Sequence, residues 1–402
     1  MNVNLINQQF STFFPTVLKY GRNIIETSLT ETIKDMNIKK VLLVSDKGLK
    51  QVGVVEKIKN ILVEQGLDVS VYAEVEPNPS LQAVHEARDM YLQNNCQLII
   101  GLGGGSSIDA AKGVAVGVVN PGNLNNYGRG MQPIQGPLPP TIIIPTTAGT
   151  GSEVTNVAVI TDEEAKRKFV LASPYVIPTY AFIDPTMTFT LPQPHIAATG
   201  IDALVHAIES YVNNKSQPVS DALAIGAMKM IIEYLPQSYA DPTNEEAKAQ
   251  VLLGSTIAGM AFAMTGTALV HSLSHPMTSH FHVPHGLANA IILPKVIEFN
   301  LISDYRKYAE VSYLFNSKYR ELSLKEAANK LVEELKAFTK SVDIPEDFSY
   351  LGDHITQEDL NRLTKDALND KGTYPNNKRK ATELEVYKLY CCLFPQVKKV
   401  LV

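Results

Sequence analysis

Two short segments of this sequence carry the residue types that bind divalent metal ions. Asp202 and His206 lie four residues apart in ATGIDALVHAIESY, and His271 and His275 repeat that spacing in ALVHSLSHP, with His285 shortly after. Residues at that spacing project from one face of a helix. One carboxylate and three imidazoles can bind an ion such as Fe²⁺, Zn²⁺, Co²⁺ or Mn²⁺. The sequence therefore predicts a metal centre carried on helices.

The alternative is that these side chains are ordinary hydrogen-bonded core residues, which is the usual state of a single buried histidine. Both segments are otherwise apolar, so an uncompensated carboxylate or a group of imidazoles would be costly to bury there. That cost favours a bound cation. The five histidines between residues 271 and 285 exceed what one ion can bind. We interpret His280 and His282 as surface or rim residues.

A glycine-rich turn is the second feature that could bind a ligand. In LIIGLGGGSSIDAAK (98–112) an apolar strand ends in Gly103, Gly104, Gly105 and Ser106, and a helix follows at once. Such a turn lets the backbone approach a ligand, and the N–H groups at the helix start suit an anion such as a diphosphate. Ser106 stands where the last glycine of G-x-G-x-x-G would be, so the match is incomplete. A tight turn without a ligand is the alternative.

Two further strand ends could contribute to the same ligand site. IPTTAGTGSEVT (144–155) offers Thr146, Thr147 and Thr150, whose hydroxyls can wrap a nucleotide. Asp46 ends the first strand, where a carboxylate can accept from ribose hydroxyls or can cap the next helix. Open α/β sheets bind ligands at the carboxyl ends of their strands.

Apolar β-branched runs alternate with helical patterns over the first half of the chain. The runs KKVLLVSD (39–46), VSVYAEV (69–75), CQLIIGLG (96–103) and TIIIP (141–145) predict the strands of a parallel, doubly wound α/β sheet. Beyond a proline-rich stretch the patterns are helical. We expect an α/β nucleotide domain over residues 1–187 and an all-helical, metal-binding domain over residues 188–402.

Composition narrows the choice of partner. The chain has 402 residues, 45% hydrophobic and 19% charged, and a formal charge of −5. That balance predicts a globular protein without a nucleic-acid or membrane partner. Three unevenly spaced cysteines do not indicate a disulfide framework. The amino terminus lacks the pattern of a signal peptide, so we expect a cytoplasmic protein.

Taken together, four motifs resemble those of the iron-containing (group III) alcohol dehydrogenases. They are GGGSSIDAAK (103–112), PTTAGTGSEVT (145–155), ATGIDALVHAIESYV (198–212) and HGLANAIILPKVIEFN (285–300). The resemblance implies an α/β dinucleotide domain followed by a helical metal-binding domain, NAD as cofactor, and a homodimer or larger homo-oligomer. It implies Fe²⁺ as the metal, with Zn²⁺ or another divalent ion as alternatives.

The resemblance also assigns roles to individual residues. It implies that the metal ligands are Asp202, His206, His271 and His285 and that His275 is catalytic. It implies that the cofactor is bound by Asp46, Gly103, Gly104, Gly105, Ser106, Thr146, Thr147, Thr150 and Lys168.

The resulting function is hydride transfer between nicotinamide and a short-chain primary alcohol, diol or hydroxyaldehyde, which makes the small-molecule alcohol or aldehyde the partner. Met264 and Ala268 depart from the pattern usual in the family, so the substrate itself is left open. The alternative is a metal-dependent hydrolase or lyase that uses the same aspartate and histidines to activate water.

Overall fold

The computed structural model of this chain describes residues 10, 12, 14–164 and 167–397. These form two compact units. The N-terminal unit spans Phe13–Thr190, and the helical unit begins at Leu191 and also takes in Thr12.

The N-terminal unit is built on a six-stranded parallel sheet with strand order β1-β8-β5-β4-β2-β3, beside a separate antiparallel hairpin, β6-β7. The strands are β1 (Val17–Tyr20), β2 (Lys40–Asp46), β3 (Asp68–Val75), β4 (Leu98–Gly103), β5 (Thr141–Pro145), β6 (Val157–Asp162), β7 (Arg167–Ala172) and β8 (Tyr180–Ile183).

Both faces of this sheet are covered, which is why its central strands read as continuous apolar runs. Successive residues of a strand point to opposite faces. Accordingly Leu42 and Val44 belong to one buried apolar cluster, and Val41 and Leu43 belong to another. All six residues of β4 are buried. The predicted parallel α/β sheet is confirmed, and the four predicted strands differ from β2–β5 by two residues at most.

Four strands were not predicted. The hairpin β6-β7 packs on helix α5 rather than joining the main sheet, and β6 alternates between half-buried and buried positions. The strands β1 and β8 are only four residues long, and three of the four residues of β1 are exposed. Short strands with little apolar content give a weak sequence signal.

The helices of the N-terminal unit connect and cover the strands. They are α1 (Thr30–Asp35), preceded by a π-helical turn (Ile25–Leu29), α2 (Lys47–Gln51), α3 (Val54–Glu64), α4 (Leu81–Gln93) and α5 (Gly105–Val119).

The helical unit contains no strand between residues 191 and 397, as the predicted all-helical second domain requires. Its helices are α6 (Gln193–Val212), α7 (Pro218–Ala240), α8 (Glu245–Thr265), α9 (Leu269–Phe281), α10 (His285–Asn300), α11 (Tyr305–Phe315), α12 (Leu324–Ser341), α13 (Gln357–Asn369) and α14 (Glu383–Leu393).

Helix α6 is the central element of this unit. Every residue from Gly200 to Val212 is buried, so the helix is enclosed on all sides. It packs against α7, α8 and α10. A helix buried all round places any polar side chain it carries inside the protein.

Two stretches of the helical unit are long and apolar enough to cross a membrane by length and composition alone, namely α8 and the helical stretch His285–Ser303. In each, 61% of the most apolar window is buried inside the protein. Core helices of globular proteins have the same character.

Candidate metal centre and nucleotide loops

Helix α6 supplies the first part of a buried polar cluster. Asp202, His206 and Glu209 follow one another at spacings of four and three residues, which aligns them along one face. All three side chains are buried. The ring of His206 lies between Phe262, at a centroid distance of 4.3 Å, and His271, at 4.7 Å.

Helices α9 and α10 bring the remaining ligand types to this face. His271 lies in the first turn of α9, and His285 is the first residue of α10. Gly286 allows α10 to approach α6 closely, because a Cβ there would lie 2.5 Å from the carbonyl oxygen of Ala198. No other residue fits so short a contact with backbone.

The ligand atoms of three predicted residues converge. One side-chain atom from each of Asp202, His271 and His285 lies within 4.8 Å of the others. His271 Nε2 is 3.8 Å from Asp202 Oδ1, and it is 3.0 Å from His206 Nε2. The structure therefore brings all four predicted metal ligands together, with His285 half-buried and the other three buried. Within this cluster His206 contacts His271.

Asn289 is a member of this cluster that sequence reasoning missed. Its Nδ2 lies 2.6 Å from Asp202 Oδ1, 3.1 Å from His285 Nε2 and 3.2 Å from His271 Nε2. Its buried Oδ1 has no hydrogen-bond partner among the described residues. The available signal was its position four residues after His285, on the same face of α10.

Electrostatics show what this donor set fits. Burial raises the pKa of Asp202, although His206 and the Asn289 amide oppose that change. Burial, with His206 and His275 nearby, holds the pKa of His271 well below its usual range. Neutral imidazole is the form that binds metal. A buried carboxylate beside the His271 imidazole, with no salt bridge to a lysine or arginine among the described residues, fits a divalent cation.

The sequence analysis did not predict Glu209 as a site residue, although Glu209 lies within the ATGIDALVHAIESYV motif. It accepts hydrogen bonds from the backbone N–H groups of Ala268 and Val270 and contacts the ring of His271. Burial raises its pKa to about 7, against the lowering effect of those backbone donors.

His275 lies at the edge of the cluster, one turn beyond His271. Its ring stacks on that of His285 at a centroid distance of 5.5 Å, and 41% of its side chain is exposed. Its Nδ1 is 2.7 Å from Asp370 Oδ2. Burial acts to raise the pKa of Asp370, but the hydrogen bond and charge of His275 lower it to about 2. His275 is thus held by a carboxylate while part of its ring reaches solvent.

The two histidines interpreted as surplus point elsewhere. His280 Nε2 is 2.7 Å from Asp366, in a partly exposed pair. His282 ends α9 in the left-handed conformation, with φ 54°, and is exposed.

In the N-terminal unit, three predicted segments follow three neighbouring strands. Asp46 ends β2. Gly103 ends β4 and begins the first loop, residues 103–106, and Pro145 ends β5 and begins the second loop, residues 145–155, called the threonine loop below. These strands are adjacent and parallel, so their carboxyl ends share one edge of the sheet. The structure thereby brings together the segments that the sequence predicts to bind a nucleotide.

The glycines of the first loop allow close contacts within the protein. A Cβ at Gly103 would lie 2.6 Å from the Ser107 hydroxyl, and one at Gly105 would lie 2.8 Å from Thr150 Cγ2. Gly103 also has φ 146°, which favours glycine. The first N–H groups of α5 lack intrahelical partners, as at any helix start, and suit an anion.

Asp46 caps the N-terminus of helix α2, which is one of the two roles that the sequence allowed for it. One carboxylate oxygen accepts from the backbone N–H of Leu49, at the start of α2, and the other accepts from the Ser107 hydroxyl at 3.1 Å. Its role toward a ribose stays a prediction.

Lys168 is connected to the first loop. Its Nζ donates to Asn78 Oδ1 at 2.7 Å, and the backbone N–H of Asn78 donates to the Ser106 hydroxyl at 3.2 Å. Burial lowers the pKa of Lys168 to about 8, and Asp109 opposes that change. Of the predicted threonines, Thr146 is buried, while Thr147 and Thr150 are half-buried.

Comparisons with known proteins agree with this arrangement. Residues 15–185 match the family description "Iron-containing alcohol dehydrogenase", and residues 196–394 match "Fe-containing alcohol dehydrogenase family, C-terminal". An NAD-dependent methanol dehydrogenase of Bacillus methanolicus is 36% identical over 94% of this chain and 98% of its own length. A lactaldehyde reductase of Escherichia coli K12 is 38% identical over 92% of this chain and 96% of its own length.

A solved structure of a 1,3-propanediol oxidoreductase superposes with a TM-score of 0.92 at 34% identity, covering 96% of this chain and all of that one. The parallel α/β unit and the helical unit of this chain correspond to the two segments that the family descriptions match. The chain belongs to the iron-containing alcohol dehydrogenase family. Nothing in the comparisons supports the hydrolase or lyase alternative.

Proposed function

We propose that this alcohol dehydrogenase uses NAD and Fe²⁺ to interconvert short-chain primary alcohols, diols or hydroxyaldehydes and their carbonyl counterparts. The convergence of Asp202, His271 and His285 within 4.8 Å carries the proposal, because it places a metal-type donor set inside a chain of this family. The name of the methanol dehydrogenase relative supports NAD as the cofactor.

Asp202, His206, His271 and His285 would hold the metal. When bound, the ion supplies a Lewis acid that polarises the substrate oxygen and lowers the pKa of the alcohol. Zn²⁺ competes for the same donors, because intrinsic affinity favours Zn²⁺ over Fe²⁺. Because α6 is enclosed from Gly200 to Val212, Asp202 and His206 are held in place and shielded from bulk water.

His275 would move the proton. With Nδ1–H donated to Asp370, its Nε2 keeps a lone pair that can accept a proton. The partly exposed ring can then release that proton to solvent. This is the arrangement expected of a general base oriented by a carboxylate.

The cofactor would lie on the loops that follow β2, β4 and β5. The start of α5, with Gly103, Gly104, Gly105 and Ser106, suits the diphosphate. Lys168 offers a positive charge close to Ser106 through Asn78. Thr146, Thr147 and Thr150 offer further hydrogen-bonding groups, and Asp46 disfavours a 2′-phosphate, which supports NAD over NADP.

Assembly and location complete the proposal. Among the residues that the structure describes, strand β1 is paired only by β8, and Val17 and Tyr20 are each 46% exposed. An open, apolar strand edge supports association into a homodimer or larger homo-oligomer. None of the three cysteines, Cys96, Cys391 and Cys392, forms a disulfide, which supports a reducing, cytoplasmic location.

The test is NADH oxidation by protein loaded anaerobically with Fe²⁺, against a panel of short aldehydes and hydroxyaldehydes. We expect turnover with at least one, and loss of both metal and turnover in His271→Ala. The control is His280→Ala, which removes a histidine of the same helix that lies outside the cluster and should leave both intact. A His271→Ala protein with full metal content would refute the ligand assignment.

A further inference from the structure

Glu209 is a buried carboxylate of α6 whose two oxygens both have hydrogen-bond partners. It is 2% exposed. One oxygen accepts from the backbone N–H of Val270 at 2.6 Å. The other accepts from the N–H of Ala268 at 2.8 Å and lies 2.7 Å from Nδ1 of His271. Three nitrogen atoms therefore lie within hydrogen-bond distance of the two carboxylate oxygens.

These contacts fix the start of α9. The first N–H groups of a helix need partners from outside the helix. Ala268, at the N-cap position, has no side chain that could serve. Glu209 supplies the missing acceptor from α6, so it joins the two helices that carry Asp202, His206 and His271.

The same carboxylate determines which nitrogen of His271 carries the proton. Because Glu209 accepts at Nδ1, the proton lies there and Nε2 keeps its lone pair. That Nε2 is the atom 3.0 Å from His206 Nε2 and 3.8 Å from Asp202 Oδ1. In the other tautomer, Nε2 would carry hydrogen and could not bind an ion.

We propose that Glu209 is a positioning residue of the metal site, which holds His271 in the Nδ1–H tautomer and so sets the affinity for the divalent cation. The proposal rests on the proposed function, in which His271 is a ligand. Outer carboxylates of this kind commonly contribute 10- to 100-fold to metal affinity.

The test is metal affinity in variants of the full-length protein, stripped of metal and titrated anaerobically with Co²⁺, whose visible absorption reports the ligand geometry. In Glu209→Gln one end of the amide must face a backbone N–H or the His271 ring as a donor. We expect its dissociation constant for Co²⁺ to rise about 10- to 100-fold and its spectrum to change. The thermal stabilisation that saturating metal gives the wild type should shrink correspondingly.

A matched control separates positioning from folding. Asp221 is a buried carboxylate of α7 in the same unit, paired with Lys307 at 2.9 Å and outside the cluster. Asp221→Asn should lower the melting temperatures of the metal-free and metal-bound forms alike and leave the Co²⁺ dissociation constant unchanged. Glu209→Asp keeps the charge with a shorter reach, and we expect an intermediate affinity. It also serves as the test if Glu209→Gln does not fold.

Two results would overturn different statements. If Glu209→Gln and Glu209→Asp bind Co²⁺ as tightly as the wild type while melting earlier, Glu209 is a helix cap only. If His271→Ala binds Co²⁺ with wild-type affinity, the proposed ligand set is wrong, and the positioning role fails with it.

Discussion

The ammonium nitrogen of Lys112 lies 3.1 Å from the hydroxyl oxygen of Ser152, in the interior of the N-terminal unit. The same hydroxyl donates to Asp109 at 2.7 Å. Lys112 and Asp109 belong to α5, which follows the glycine loop, whereas Ser152 belongs to the threonine loop. Lys112 also donates to the carbonyl oxygens of Thr155 and Val157. The two loops are therefore held as one structure by charged residues of the GGGSSIDAAK motif.

Removing this lysine should loosen the threonine loop. Lys112→Met leaves a buried carbonyl oxygen of Thr155 and a part-buried one of Val157 without this donor, at a cost to the free energy of unfolding of about 3 kcal/mol. Urea denaturation measures that loss, and the quenching or enhancement of NADH fluorescence measures the expected weaker cofactor binding. Lys50→Met, which removes an exposed lysine paired with Glu74, is the control and should change neither quantity measurably.

A methyl group in the glycine loop should have a similar effect by a steric route. In Gly105→Ala the new Cβ would lie 2.8 Å from Thr150 Cγ2, so one of the two loops must shift. We expect NADH binding to weaken at least tenfold, on the order of 1.4 kcal/mol. Gly226→Ala in α7 is the comparison, because nothing lies within 4 Å of its Cβ. That variant should be more stable by about 0.5–1 kcal/mol, with cofactor affinity unchanged. Equal NADH affinity in both variants would contradict the loop contact.

His206 is predicted to be a full metal ligand although it reaches the cluster through His271. His206→Ala should lower the metal content of the purified protein and should raise the Co²⁺ dissociation constant by at least tenfold. Elemental analysis and a Co²⁺ titration measure both. His354→Ala, at an exposed histidine of the same unit, should retain the full metal complement. Retention of metal by His206→Ala would leave the site with three protein ligands.

Asp370 is expected to act through His275. Asp370→Asn removes the carboxylate 2.7 Å from His275 Nδ1, so the imidazole is no longer held in one tautomer. Turnover should fall about 10- to 100-fold, with metal content and NADH affinity preserved. Asp366→Asn, which removes the partner of His280, should not affect turnover. A fall in metal content in Asp370→Asn would instead indicate that the whole metal-ligand cluster depends on the residue that follows α13.

Cofactor affinity should decline above about pH 8 because of Lys168. Burial lowers the pKa of Lys168 to about 8 from its ordinary 10.5, so the side chain loses its charge in that range. One unit above this pKa about a tenth of the molecules keep the charge, and NADH affinity should fall by up to tenfold. Lys168→Arg keeps its charge throughout and should give a flat profile. A wild-type profile that is flat from pH 7 to 9.5 would contradict a role for this charge.

The same lowered pKa has the opposite effect on folding. The unfolded chain keeps its proton up to about pH 10.5, whereas the folded chain releases it near 8. The unfolded state therefore binds more protons in this window, and Lys168 contributes stability that grows as the pH rises through it. Between about pH 8 and 10.5 the denaturation midpoint of the wild type should therefore rise with pH relative to that of Lys168→Arg.

The fold class and the clusters of site residues could be predicted from sequence because they depend on local patterns. Buried parallel strands give apolar runs, and residues four apart on a helix share a face. The capping role of Asp46 also depends on a neighbour, Leu49, only three residues away, yet sequence alone could not choose between cap and ribose contact. Both options use the same carboxylate at the same strand end.

Contacts between distant segments could not be predicted. Glu209 was overlooked because its donors, Ala268 and Val270, lie about 60 residues away in sequence. The glycines of the first loop were explained by a ligand, whereas part of the reason is Thr150 of the second loop. Met264 departs from the pattern usual in the family. Its sulfur accepts from Gln217 and Thr12, and its effect on substrate choice stays a prediction.

The enclosure of α6 has a consequence for the evolution of this protein. Asp202, His206 and Glu209 lie on a helix with no exposed side from Gly200 to Val212. Replacing Glu209 by an apolar residue leaves the backbone N–H groups of Ala268 and Val270 without their acceptor, at about 1–3 kcal/mol each. A single substitution at such a position therefore costs folding stability as well as metal affinity. Selection for a stable fold thus also helps to retain the metal-binding residues of this unit.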